Sequence, residues 1–378
     1  MALDSRNHMK NRSFIRQFQK FLQIEAYSGV LLLFCTIVAL FLANSPFQEP
    51  YICFLHLSYL GMSIHQWIND GLMTVFFLVI GLEIKREFIH GELSSRKKAA
   101  LPIAGAIGGM TVPALIYTGI NFRQNGAAGW GIPMATDIAF AIGILTLLGK
   151  KVPSSLKIFL TALAIVDDMG AILVIALFYT QNISWLFLGF GSFVLLILYG
   201  LNRFGISRGS AYLILGVLLW GAFLRSGIHP TIAGILLAWV MPSTIAKRLE
   251  YKLHPWVSFG IIPIFALANA GLPFRGGSLF HPISYGIIAG LVLGKQLGIT
   301  FFSWATVKLD LAKLPEGISF QQIYGAACLG GIGFTMSLFI AHLAFDSNQL
   351  INTAKLGILL ASVMSSLIGA AILKRFSI

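Results

Sequence analysis

Four ionisable residues stand where an apolar chain tolerates them least: Asp137, Asp167, Asp168 and Lys295. A charge at the centre of a bilayer costs at least ~2.5–3.5 kcal/mol, so such residues mark function by default. Asp167 and Asp168 are adjacent in Ala164-Ile-Val-Asp-Asp-Met-Gly170. Successive helical residues point about 100° apart. The two carboxylates therefore face different neighbours, yet they repel when both are ionised, and burial adds to that penalty. Carboxylates in this position can hold a proton or a hard cation. Sodium and lithium prefer oxygen ligands, by the same logic that governs calcium and magnesium. Competition of H⁺ and Na⁺ (or Li⁺) for one oxygen site is sufficient physics for exchange. The bland alternative is a buried pair satisfied by hydrogen bonds or by Lys295.

Lys295 lies in Gly290-Leu-Val-Leu-Gly-Lys-Gln-Leu-Gly298. It is about ten residues from either end of its apolar run, too deep for full snorkelling to the surface. It reads as a counter-ion for Asp167. Asp137 follows Gly129, Gly131, Pro133 and Thr136, a composition that breaks a helix. A second such segment is Gly330-Gly-Ile-Gly-Phe-Thr-Met-Ser-Leu338, with Thr335 in the place of Thr136. Unwound backbone at membrane depth survives only where protein or a cavity covers it. Interrupted helices at matching places in two halves are the best sequence pointer to a transporter site. The two blocks, about 99–180 and 285–373, read as inverted three-helix repeats. Helix ends freed inside a bilayer carry partial charges. Asp137 and Lys295 have the signs to offset them.

The elements that position these residues follow from composition. Of 378 residues, 57% are hydrophobic and only 11% charged. A soluble domain is nearer one quarter charged. Lipid must be the solvent for most side chains. Apolar runs between charged or Pro/Gly punctuation predict twelve helices, at about 24–43, 64–89, 99–120, 129–148, 156–180, 183–201, 209–223, 229–242, 255–272, 285–306, 320–345 and 354–373. The fold class is an all-α polytopic membrane protein. It forms a single membrane-embedded domain over 1–378, with a basic tail at 1–23 (Arg6, Lys10, Arg12, Arg16, Lys20). The net charge of +13 could suggest nucleic acid. The basic residues instead sit in short clusters between apolar runs, as orientation signals do. With both termini inside, only Arg123, Arg225, Arg275 and Lys355 of the 27 basic residues fall outside, and Lys295 falls within a span. The loop of about 44–66 carries no Lys or Arg. Its Tyr51–Leu60 stretch reads as strand-like or interfacial, able to pair with a partner subunit. Cys35, Cys53 and Cys328 match no metal or disulfide spacing and read as packing residues.

The chain also resembles the NhaA family of bacterial sodium/proton antiporters. The resemblance rests on eight motifs in order: Phe76–Glu87, Pro133–Ala141, Leu163–Asp168, Ser226–Gly234, Leu253–Trp256, Phe265–Gly271, Gly294–Gly298 and Gly330–Ser337. It implies that Asp167 and Asp168 form the cation and proton site, that Lys295 pairs with the first of them, and that Thr136 and Asp137 lie where two broken helices cross. It implies an electrogenic antiporter of the inner (plasma) membrane working by alternating access, not an enzyme. No cofactor accompanies the transported Na⁺ or Li⁺ and H⁺. A homodimer, joined through the loop after the first helix, is also implied. Activation at alkaline pH is implied through Glu83, Arg86 and Glu87 at the end of the second helix and Lys247, Arg248, Glu250 and His254 at the start of the ninth, with His229 as a further candidate. Tyr251 stands where some relatives carry histidine. Glu83, Arg86 and Glu87 do share one helical face, and His254 is a residue type that titrates near neutrality. An ordinary cytoplasmic charge rim fits the same residues. Three other functions compete: a proton-coupled carrier of another small solute, an intramembrane aspartyl protease and a channel. The protease needs two facing aspartates sharing a proton, and the Gly-x-Gly-Asp setting is missing here.

Overall fold

The computed structural model describes residues 24–149, 152–180, 183–273 and 277–376. The basic tail at 1–23, Lys150, Lys151 and Arg275 lie outside the described residues. Among the described residues twelve principal helices follow one another. They are α1 (Ile24–Ala43), α2 (Ile64–His90), α3 (Arg96–Ile120), α4 (Ala127–Leu147), α5 (Ser154–Phe178), α6 (Trp185–Arg203), α7 (Gly209–Ser226), α8 (Thr231–Val240), α9 (243–269), α10 (Pro282–Lys308), α11 (320–344) and α12 (Asn348–Phe376). Among the described residues nine are long and apolar enough to cross a membrane, and α11, bent by 44° at its break, makes a tenth. α8 is a short apolar helix. α9 opens on a polar stretch, Ser243–Trp256, that lies outside its apolar half.

Apolar side chains stay exposed along whole helix faces: Trp185, Leu186, Phe193, Leu196 and Tyr199 on α6, and Val363 and Leu367 on α12. A soluble protein does not show contiguous apolar surface of that extent. The chain is a multi-pass membrane protein. One core joins α1–α5 with α9–α12, and a smaller one packs α6, α7 and α8 against α2. The Lys85 ammonium donates to the carbonyls of Trp239 (2.8 Å) and Met241 (2.5 Å), closing the C-terminus of the short α8. A cation there suits the negative end of the helix.

Small residues set the closest approaches. α3 and α10 meet at Gly108 and Gly298, where a Cβ on Gly298 would lie 2.1 Å from the Gly108 carbonyl oxygen. Helices in lipid associate through such small-residue contacts. In the loop after α1 the strand-like reading holds only for a short hairpin. Gln48–His56 is helical, and only Ser58–Tyr59 and Met62–Ser63 pair, as a short antiparallel hairpin. Its two turn residues, Leu60 and Gly61, both have positive φ (51° and 80°). That is the geometry of a tight two-residue hairpin.

The α3–α10 contact predicts a stability effect. Gly298→Val should lower the melting temperature of the detergent-purified protein by several degrees, since overpacking typically costs ~1–3 kcal/mol. Gly119→Ala on the same α3 meets nothing within 4 Å and should leave melting unchanged or slightly raised. Equal melting of the two variants contradicts this packing account.

Candidate functional site

α4 and α11 are both interrupted, and they cross at their breaks. In α4 the glycines and Pro133 give a tight 3₁₀ turn over Ala127–Met134, then Ala135 extends (φ −83°, ψ 148°) and a regular helix restarts at Ile138. In α11 the first half ends at Gly330 and the second starts at Phe334. The freed backbone groups pair across the crossing. The Asp137 amide donates to the Ile332 carbonyl at 2.6 Å. The Ser337 hydroxyl donates to the Ile132 carbonyl at 2.7 Å.

Asp137 caps two helices at once. Its Oδ1 accepts from the Phe140 amide (3.0 Å), the first turn of the second half of α4. Its Oδ2 accepts from the amide (3.0 Å) and hydroxyl (2.5 Å) of Thr335, in the first turn of the second half of α11. A carboxylate between two helix N-termini meets partial positive charge from both. Asp137 is thus fully used by the scaffold.

α5 is a continuous helix across its length, so its two aspartates diverge as adjacent helical residues must. Asp167 Oδ2 pairs with the ammonium of Lys295, and both side chains are fully buried. The Thr136 hydroxyl lies 2.6 Å from the same carboxylate oxygen and 2.8 Å from the Gly330 carbonyl, and it accepts from Lys295 at 2.9 Å. Its single proton goes to one of the two oxygens at a time. Lys295 therefore reaches Asp167 and Thr136, while the carbonyl at the end of the first half of α11 is met by Thr136. A π-helical widening at Ala289–Gly294 comes just before Lys295. There Gly290 and Gly294 lie against Pro133 and Pro113.

Asp168 faces elsewhere. Its Oδ1 is buried with no hydrogen-bond partner, as is Asp167 Oδ1. Asp168 lines a cavity of about 50 Å³ together with Thr136, Asp137, Glu25, Glu83 and His254. Glu25, Glu83 and His254 form one cluster with Ser258. His254 Nε2 is 3.2 Å from Glu25 and 3.5 Å from Glu83, and the Ser258 hydroxyl donates to Glu25 at 3.2 Å. Next to it Arg86 bridges Glu250 (2.9 Å) and Glu87 (3.2 Å). Burial opposes charge on His254, but the hydrogen bond to Glu25 and the carboxylates of Glu83, Glu25 and Glu250 outweigh it. They lift the imidazole from 6.5 to about 9. Burial raises Glu250, with Arg86 opposing.

The structure thus brings Glu83, Arg86, Glu87, Glu250 and His254 together. Lys247 and Arg248 point to the exposed side of the same helix. His229 is not part of this group. Its Nε2 lies 3.5 Å from Asp70 and its Nδ1 2.8 Å from the Thr231 hydroxyl. Asp70 is thirteen residues before Glu83, about 20 Å along α2. Sequence reasoning passed over Glu25. A carboxylate in the first turn of an apolar run was its only signal, and such residues commonly face headgroups. The structure buries it instead, 5% exposed.

Comparisons with known proteins agree with this architecture. The Na+/H+ antiporter 1 family profile matches residues 19–373. The Na(+)/H(+) antiporter NhaA 1 of Clostridium beijerinckii is 49% identical over 98% of this chain and 97% of its own length. The protein of the same name from Syntrophotalea carbinolica is 49% identical over 96% of each chain. The Na(+)/H(+) antiporter NhaA of Vibrio cholerae is 49% identical over 94% of this chain and 96% of its own. With two interrupted helices crossing beside an Asp-Asp-Lys constellation, and a match running almost end to end, the chain belongs to the Na+/H+ antiporter 1 family.

Proposed function

We propose that this protein exchanges cytoplasmic Na⁺, or Li⁺, for external H⁺ at Asp167 and Asp168. One observation carries the reading: Asp168 lines a cavity with a buried Oδ1 that has no hydrogen-bond partner, while its neighbour Asp167, whose Oδ1 is likewise unpartnered, is tied through Oδ2 to Lys295. A carboxylate oxygen left free at membrane depth is costly unless an ion or a proton takes it up. Asp168, with Thr136 beside it, supplies oxygen of the kind a small alkali cation needs. A proton on Asp168 removes that attraction, so the two cargoes exclude each other. Protonation of Asp167 releases Lys295, which gives the second carboxylate a part in the same cycle. Two protons exchanged for one Na⁺ move net charge, worth ~2.3 kcal/mol per 100 mV. An interior-negative potential then helps to expel Na⁺. Alternating access places the moving element at the α4/α11 crossing, within inverted repeats at about 99–180 and 285–373.

We assign the protein to the bacterial inner membrane with both termini cytoplasmic. The Glu25, Glu83, His254 and Arg86 cluster then sits at the cytoplasmic mouth of the Asp168 cavity. That placement supports activation at alkaline pH. Loss of the His254 proton leaves Glu25 and Glu83 uncompensated and makes the mouth more attractive to cations. A homodimer joined through the hairpin at residues 58–63 completes the reading. Its exposed Tyr59 and Leu60 suit a partner surface.

Everted vesicles carrying a pH dye test the exchange. Adding Na⁺ should release protons from the lumen of wild-type vesicles, and Asp168→Asn should lower that release at least a hundredfold. Release that persists in Asp168→Asn rejects the site. The ion pair has its own test. Lys295→Met strands a buried carboxylate and should cost ~3–5 kcal/mol, seen as a large fall in melting temperature. Adding Asp167→Asn to it should recover most of that loss; a double variant as unstable as the single one contradicts the pairing.

His254 gives a pH dependence with a definite sign. Its folded value, about 9, lies above the ordinary 6.5. Its contribution to stability is therefore complete below pH 6.5 and fades as pH rises through 9. Melting temperature should fall across that window in the wild type. The fall should be smaller in His254→Gln, whose antiport should also start at lower pH. An unchanged melting profile in His254→Gln removes this residue from the account.

A further inference from the structure

A second cavity, of about 250 Å³, lies on the other side of the helix crossing, between α1, the second half of α4, α11 and α12. Its inner wall includes Phe140, Ile332 and Phe334, three residues tied to the crossing. The Phe140 amide donates to Asp137, the Ile332 carbonyl accepts from the Asp137 amide, and the Phe140 and Phe334 rings meet edge to face at 5.2 Å. Its outer rim includes Val30, Leu33, Val363 and Leu367, each about half exposed or more, at 53%, 48%, 57% and 67%. The cavity is therefore continuous with the lipid-facing surface, beside the middle of α12.

Its chemistry admits one class of occupant. The few lining hydroxyls are engaged within the protein. Thr36 donates to Leu32 (2.7 Å), Ser366 donates to Ser362 (2.6 Å), and Ser362 Oγ accepts from the Phe334 amide (3.3 Å). Among the described residues no ionisable side chain lines it. A site with no hydrogen bonds to offer stays dry and takes apolar guests. A phospholipid headgroup cannot reach mid-span, and a basic peptide segment would strand its charges there. We propose that this groove is a hydrocarbon-binding site that takes one acyl chain of a membrane phospholipid and braces the α4/α11 crossing from its lipid side.

The test uses the full-length protein in vesicles of phosphatidylethanolamine and phosphatidylglycerol, doped with a phospholipid carrying a photoactivatable diazirine at mid-chain. After illumination, adducts in the wild type should concentrate on groove residues such as Ile144, Leu147 and Leu359, at least fivefold above the exposed apolar residues of α6. Val363→Trp combined with Leu367→Trp should close the mouth and remove most groove adducts. Met364→Trp, exposed on the same helix but outside the rim, should keep them. Added phospholipid should also raise the melting temperature of delipidated wild type and Met364→Trp by several degrees more than that of the closed variant. Adducts spread evenly over all lipid-facing helices overturn the proposal. So does a groove without adducts, as a second copy of the chain seated there would give. The wild-type adduct map decides the matter even if the double variant fails to fold.

Discussion

Charge in a bilayer must be answered by charge, dipole or proton, and this bundle has three central carboxylates against one central lysine. The protein answers the three carboxylates differently. Asp137 is held by the N-termini of two half-helices, and Asp167 by Lys295 and Thr136. Asp167 and Asp168 each keep a buried Oδ1 with no protein partner, and of the two it is Asp168 that lines the cavity. The rest of the architecture follows from keeping those three environments distinct. α5 must be a straight helix so that its adjacent aspartates diverge. α4 and α11 must be broken so that half-helix ends exist to hold Asp137. α10 must bring Lys295 to Asp167 and no farther.

That arrangement also explains why the interrupted helices are stable. Free amides and carbonyls inside a membrane are expensive. Here each break supplies the groups that the other lacks: the Asp137 amide meets Ile332, Ser337 meets Ile132, and Thr136 meets Gly330. The crossing is therefore a mutual repair of two defects, and neither helix is expected to hold its break alone. It also couples the site to the backbone. Thr136 touches the Asp167–Lys295 pair on one side and the end of a half-helix on the other, so a change in that pair's charge is felt by the crossing directly.

Much of this could be read in the sequence, for identifiable reasons. Apolar run length located most of the helices to within a few residues, because lipid leaves few other choices for twenty consecutive hydrophobic residues; α9 instead begins at Ser243, since its first half is polar and carries no such signal. Gly129, Gly131 and Pro133, and Gly330, Gly331 and Gly333, announced the breaks through their backbone chemistry. Other features had no local signal. The widenings at Ala289–Gly294 and Val257–Ile261 lie inside continuous apolar runs, whose length and periodicity do not mark them. Glu25 lies 233 residues from Ser258, and no periodicity links such distant positions. His229 is next to Pro230 in one of the motifs on which the resemblance rests, but the turn before α8 carries it to Asp70, at the far end of α2 from Glu83. A motif gives a residue's identity; only the three-dimensional path gives its neighbours.

Cavity and cluster share walls, so on the proposed reading a pH response and a transport site coexist without a long relay. Glu25 and Glu83 reach the cavity from α1 and α2, His254 from α9, and Asp168 from α5. A single charge change at His254 alters the potential in the cavity that Asp168 also lines, and it does so without moving a helix. Field strength falls with distance and with solvent screening, so the effect is largest where the walls are apolar and close. Phe76, Val79, Ile80 and Ile262 provide such walls. On the proposed reading, the same proton activity then acts twice within one cavity: at the mouth it sets how strongly cations are drawn in, and at Asp168 it competes with them for the same oxygen. The two effects have the same sign, since fewer protons favour Na⁺ at both places, and a transporter built this way responds to pH more steeply than a single competing carboxylate can.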